Sequence, residues 1–273
     1  MTTGDGLRAE DLASLLDLEL VEQRSDRSTF LGRVRRSDME WPLLYGGQVA
    51  AQALVAAGAT LPDDRRPHSL HTYFLRSGRT DRKVEFHVDH DRDGRRFSAR
   101  HVRAVQDDRV IFSMITSFTT VDAVSVLDEV PNRTERRRDP DECADFPIDA
   151  HVEARQITES RTIGRRRLHP DTMWVRVSEP LESTPLLDAA VLTYLSDLGS
   201  GFSQNEDEAV GVGDVSLDHA IWFHQQLDPR SWLVLDMWPM SAVTGRGVYH
   251  GCIRDADGRL GVTIVQENLL RPY

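Results

Sequence analysis

The stretch GQVAAQALVAAGAT, Gly47–Thr60, is alanine-rich and apolar on most of its faces. Alanine gives up no side-chain entropy in a helix, so this run predicts a helix. A helix that is apolar nearly all round has no face for water and must be buried on most sides. It opens at Gly46-Gly47, where no side chain covers the N–H groups that the first turn leaves unbonded. The chain that can bury it follows directly. Strand-like runs at 69–76, 83–91, 95–106 and 109–119 are divided by turn signals at Ser77-Gly78, Asp93-Gly94 and Asp107-Asp108. Upstream, Leu7, Leu12, Leu15, Leu16 and Leu18 predict a short amphipathic helix over 7–18, and a strand is expected at 29–35.

The second half repeats this order. Thr184-Pro185 has the form of an N-cap followed by proline at the first helical position, and the helix it opens is expected to stop at Gly199. A strand at 174–177 precedes it, and strands at 215–224, 232–240, 247–254 and 260–270 follow. Ser69-Leu70 is echoed by Ser216-Leu217, and Arg109 by Arg259, at a spacing of roughly 150 residues. Between the halves, prolines, acids and the run Arg136-Arg137-Arg138 predict a surface linker. The reading is therefore an α+β protein: a unit over 1–120, a linker over 121–165 and a second unit over 166–273. In each unit antiparallel strands wrap a long helix, and the two sheets would lie edge to edge.

Composition narrows the functional classes. The chain has 273 residues, 40% hydrophobic and 28% charged, with a net charge of -11. That acidic balance argues against a nucleic-acid partner. No apolar run reaches the roughly 20 residues that cross a bilayer, and no signal peptide opens the sequence, so a cytoplasmic protein without a membrane partner is expected. Cys143 and Cys252 have no CxxC partner, and His68, His71, His219 and His224 have no Cys or Glu-rich cluster beside them, so these histidines read as structural and no metal or cofactor is expected. A G-x-S-x-G elbow is missing, and Gly211-Val212-Gly213 has no helix after it, which disfavours an α/β-hydrolase and a dinucleotide site.

Three polar residues of the second half stand out. Asp197, in YLSD, sits near the predicted helix end, where a carboxylate opposes the helix dipole by about 0.3–1 kcal/mol. Ser216 opens SLDHAIWFH. Gln266, in VQENLLR, closes an apolar strand, where its amide must satisfy several hydrogen-bond positions. An acid, a hydroxyl and a carboxamide can activate and orient a water molecule. None is a strong nucleophile at neutral pH, and no histidine is paired with Ser216 in sequence, which favours direct water attack over a covalent intermediate.

These segments, together with YGGQVAAQAL (45–54), HSLHTYFLR (68–76), RDGRRFSARHVRAVQ (92–106), IFSMITSF (111–118), GRG (245–247) and DGRL (257–260), carry a resemblance. Over about residues 10–120 and 150–273 the chain resembles the type II acyl-CoA thioesterases, bacterial and peroxisomal enzymes of double hotdog fold. The resemblance implies hydrolysis of fatty acyl-CoA to free acid and CoA, with Asp197, Ser216 and Gln266 holding the attacking water, and assembly as a homo-oligomer. Ser216 stands where bacterial members often have Thr, Asp188 where members often carry His, and Met237-Trp238-Pro239 where the stretch is more polar. Gly46 and Gly47 are candidate donors to the thioester carbonyl. The counterpart of YLSD in the first half, Ala56-Ala57-Gly58, has no carboxylate, so one composite site per chain is expected where the halves meet. The alternatives are a hotdog-type enoyl-CoA hydratase or dehydratase, whose Gly-Asp-x-Asn-Pro type segment Gly213-Asp214 does not match, and a non-catalytic acyl-CoA binding protein.

Overall fold

The computed structural model describes residues 8–9, 11–35, 43–120, 138–149, 151–160, 162–163, 166–167, 169–199, 202 and 213–270. Leu7, Arg136, Arg137, Arg165, Gly211 and Val212 lie outside them. The chain forms two compact units, one of residues 1–124 with 179–194, the other of 125–178 with 195–273.

In the first unit, Asp11 caps a helix of only five residues, α1 (Leu12–Leu16), by accepting from Ser14 N at 2.7 Å. The longer helix expected over 7–18 is cut short because Asp17 is extended and the chain enters strand β1 (Glu19–Gln23), which pairs with β2 (Arg27–Gly32). Helix α2 spans Gly46–Gly58, and every residue from Gly47 to Ala57 is buried. That is the outcome its apolar circumference requires. Strands β3 (Arg65–Phe74), β4 (Val84–Asp93), β5 (Phe97–Gln106) and β6 (Arg109–Thr120) pack on it. The sheet order is β1-β2-β4-β5-β6-β3, antiparallel throughout. Asp107 and Asp108, at φ 47° and 60°, make the tight β5–β6 turn, a conformation short polar side chains tolerate.

The second helix, α3 (Pro185–Ser196), opens as expected: Thr184 Oγ1 accepts from Leu187 N at 3.2 Å, with Pro185 in the first helical position. Two glycines of α2 admit its neighbours. A Cβ on Gly58 would lie 2.5 Å from Leu186 Cδ1, and one on Gly47 would lie 2.7 Å from Tyr194 O. Tyr45, just ahead of α2, donates its hydroxyl to the same Tyr194 carbonyl at 2.7 Å.

The second unit holds β7 (Val152–Gln156), β8 (Thr172–Val177), β9 (Gly213–Ser216), β10 (Asp218–Phe223), β11 (Leu233–Val243), β12 (Arg246–Asp255) and β13 (Leu260–Leu270). Their order is β10-β13-β12-β11-β8-β7, with β9 also on β13, and every pair is antiparallel. β7 falls inside the stretch read as linker, yet it pairs with β8 along its whole length, and Ala144–Asp145 adds to its far edge. Its alternation of buried Val152 and Ala154 with half-buried Glu153 and Arg155 is a strand pattern too short to emerge from the charged residues around it. The single strand expected over 215–224 is broken in two, and that break shapes the site.

Candidate active site

Three segments of the second unit meet at the polar cluster. Asp197 follows the last residue of α3. Ser216 ends β9. Gln266 lies in β13, on the face that also buries Val262, Ile264 and Asn268. Ser216 pairs with Asn268 across β9–β13, whereas Ala220 pairs with Val265 across β10–β13. Four residues on one strand thus oppose three on the other, which is a β-bulge. Leu217 N donates to Glu267 O at 2.8 Å, and Asp218 Oδ1 accepts from Glu267 N at 2.8 Å, so the displaced backbone remains bonded. Residues 216 and 219 would face opposite sides of a regular strand. The extra residue turns both toward Gln266.

The three expected residues are brought together. Asp197 Oδ1 accepts from Ser216 Oγ at 3.2 Å and from Gln266 Nε2 at 3.0 Å. Gln266 Nε2 also reaches Ser216 Oγ at 2.7 Å and Asn268 Oδ1 at 2.9 Å. Two amide hydrogens are shared among three acceptors, so each bond is exchangeable. Asp197 and Ser216 are half-buried while Gln266 is 1% exposed. The carboxylate and hydroxyl therefore sit at the accessible side and the amide behind them. Gly46 and Gly47 stand elsewhere in the chain, as the first residues of α2, where the close approach of Tyr194 O gives Gly47 a packing reason of its own.

Two buried rings frame Gln266. Tyr249, opposite it on β12, donates to Gly199 O at 3.1 Å and so ties down the turn that carries Asp197. Burial drives its phenol well above the ordinary range, and Asp197 and Asp218 push the same way, so it remains a neutral donor. On the other side, His219 Nε2 lies 2.8 Å from Ser196 Oγ. Burial lowers the His219 pKa, against the opposing pull of Asp197, of hydrogen bonding with Gln266 and of Asp218. A serine–histidine pair does exist here, but it uses Ser196, not Ser216. Ser196 is 0% and His219 1% exposed, out of a substrate's reach.

Two family models match in tandem. The acyl-CoA thioesterase N-terminal domain covers residues 36–119, and the acyl-CoA thioesterase C-terminal domain covers 127–270. The chain belongs to the acyl-CoA thioesterase family. It is 30% identical to human acyl-coenzyme A thioesterase 8, over 97% of this chain and 90% of that protein. Among solved structures, acyl-CoA thioesterase II TesB2 from Mycobacterium marinum is 33% identical with a TM-score of 0.74, covering 95% of this chain and 96% of the other. A tesB protein of Mycobacterium avium subspecies paratuberculosis is 29% identical with a TM-score of 0.76, covering 94% and 97%. The fold is the double hotdog, and the protein is a thioester hydrolase acting on acyl-CoA.

The positions where the chain departs from the family's usual residues have local explanations. Asp188 is buried in the first turn of α3, where the helix dipole favours a carboxylate, and accepts from Ser183 Oγ at 3.0 Å. Met237 is buried against Gly199 and Gly251, and Trp238 stacks at 4.9 Å on His250. Reading residue types along the sequence missed Asn268, Tyr249, Ser196 and the engagement of His219. The one available signal was the polar Gln266–Asn268 pair, two apart and hence on one face of an apolar strand.

Proposed function

We propose that this acyl-CoA thioesterase cleaves fatty acyl-CoA by direct attack of a water molecule held by Asp197, Ser216 and Gln266. The observation that carries the reading is the convergence of a hydroxyl and an amide N–H on one carboxylate oxygen of Asp197. A water that enters this cluster can donate to the carboxylate and accept from the hydroxyl or amide, which turns a lone pair toward the thioester carbon. Asp197 takes the water's proton as the C–O bond forms. The tetrahedral oxyanion then collapses, the C–S bond breaks, and the proton passes from Asp197 to the departing thiolate. The products are the free acid and CoA.

Replacing Asp197 by Asn keeps the shape and removes the base. Turnover, followed as thiol release from a panel of acyl-CoA substrates, should fall by about 10²–10⁴-fold while circular dichroism stays unchanged. Near-wild-type thiol release from the folded variant would sink the assignment. Quenched mass spectrometry during turnover should show unmodified protein only, whereas an acyl adduct on Ser216 would make that serine a nucleophile.

A further inference from the structure

We propose that His219 is a positioning residue for hydrolysis: its Nδ1–H donates to Oε1 of Gln266 and so fixes the amide with its NH2 toward Asp197 and Ser216. The inference deepens the water-positioning role of Gln266 and rests on it. Its first support is placement. With Ala220 opposite Val265, the next pair along the ladder sets His219 opposite Gln266, both on the buried face of the sheet. Directly opposed residues on one face of an antiparallel pair are in contact range. The bulge between Ser216 and Ala220 makes this possible, since it alone lets His219 and Ser216 address the same amide.

The second support is the hydrogen-bond inventory. Gln266 Nε2 faces Asp197 Oδ1, Ser216 Oγ and Asn268 Oδ1. A carboxylate accepts only, and the Asn268 atom is a carbonyl oxygen, so the flipped amide would set oxygen against oxygen twice. Oε1 must point the other way. It is buried there and lacks a well-formed hydrogen bond. Hydrogen bonding with Gln266 is among the influences on His219 that oppose burial, and its Nε2 lies 2.8 Å from Ser196 Oγ. The nitrogen left to meet Oε1 is Nδ1. With the Ser196 hydroxyl donating to Nε2, the ring proton sits on Nδ1 and the relay runs Ser196, His219, Gln266, Asp197 without a donor–donor or acceptor–acceptor clash. An unpinned Gln266 could rotate and present oxygen to the water, which would then be oriented wrongly.

The test uses the full chain. Asn places an amide nitrogen where Nδ1 stood but loses the Ser196 contact; Gln keeps a group near Nε2 and loses the one at Nδ1. His219→Gln should lower kcat about tenfold or more with little change in KM, and His219→Asn should recover most of it. In a Gln266→Ala background, His219→Gln should change kcat by less than about twofold, because the amide it positions has gone. Equal factors in both backgrounds would overturn the proposal, as would a His219→Asn variant as slow as His219→Gln. If the variants do not fold, nitrogen NMR of wild-type protein labelled at histidine decides: a protonated Nδ1 on His219 is expected, and a proton confined to Nε2 refutes it. Gln266→Ala with wild-type turnover would instead remove the reading beneath. Loss of turnover in Gln266→Ala without coupling to His219 would remove this inference alone.

Discussion

Ser216 stands between a carboxylate and an amide, donating to Asp197 and accepting from Gln266. Removing its hydroxyl should misorient the water rather than block binding. Ser216→Ala should therefore lower turnover by about 10²-fold, the scale of a misplaced reactant, with acyl-CoA affinity nearly kept. Ser216→Thr keeps the hydroxyl and should retain most activity; its extra methyl, in a half-buried place, sets the main risk through overpacking of about 1–3 kcal/mol. A Thr variant as slow as the Ala variant, with an unchanged melting temperature, would contradict the role. That Asp197, Ser216 and Gln266 lie together was expected chiefly from the resemblance; a carboxylate at a helix end and an amide in an apolar strand run against local preference, whereas Ser216 carries no such signal of its own. The parts played by His219 and Asn268 were not legible. They depend on one extra residue between Ser216 and Ala220, and neither Leu217 nor Asp218 carries the glycine that commonly marks such a bulge.

Among the elements, α2 and its strands were readable because their signals are long: eleven consecutive buried helical residues and strands of ten to twelve residues. The short pieces were not. Helix α1 has one capped turn, and β7 takes its order from the partner β8 rather than from its own composition. Gly47 illustrates how two physical reasons can share one residue. A free first-turn N–H was the reason legible in sequence; the structure adds a Cβ position 2.7 Å from both Tyr194 O and the Tyr45 ring. A backbone carbonyl cannot swing aside as a side chain can. Gly47→Ala should thus destabilise the protein by about 1–3 kcal/mol, even though alanine is the better helix former by up to about 1 kcal/mol. Denaturant unfolding measures it. An Ala variant as stable as wild type would show that the Tyr45–Tyr194 contact yields freely.

At the scale of the whole molecule, burial of neutral histidines sets a pH dependence. Burial lowers the pKa of His219, and also of His68 and His224. The unfolded chain takes protons on these rings near pH 6.5, while the folded chain does so only at lower pH. The unfolded state then binds more protons in that window, so stability should fall as pH drops from about 6.5. Asp81, Asp89 and Asp228, whose pKa values are lowered, act in the same direction further down, below their ordinary value near 3.8. Melting temperatures across this range should decline in two stages, and His219→Asn should flatten the first. The two units then differ in chemistry despite their shared frame. In the first unit, the Thr116 hydroxyl donates to Ser69 O at 3.0 Å and is spent on backbone. Ala56-Ala57-Gly58 supplies no acid where the second unit has Asp197. With Asp197 as the proposed base, one catalytic site per chain is expected. Calorimetric titration with a non-hydrolysable acyl-CoA analogue should give one equivalent bound per chain, and Asp197→Asn should leave that number unchanged while turnover falls. Two equivalents, or a residual activity near half of wild type in the Asn variant, would mean that the first unit carries an active site of its own.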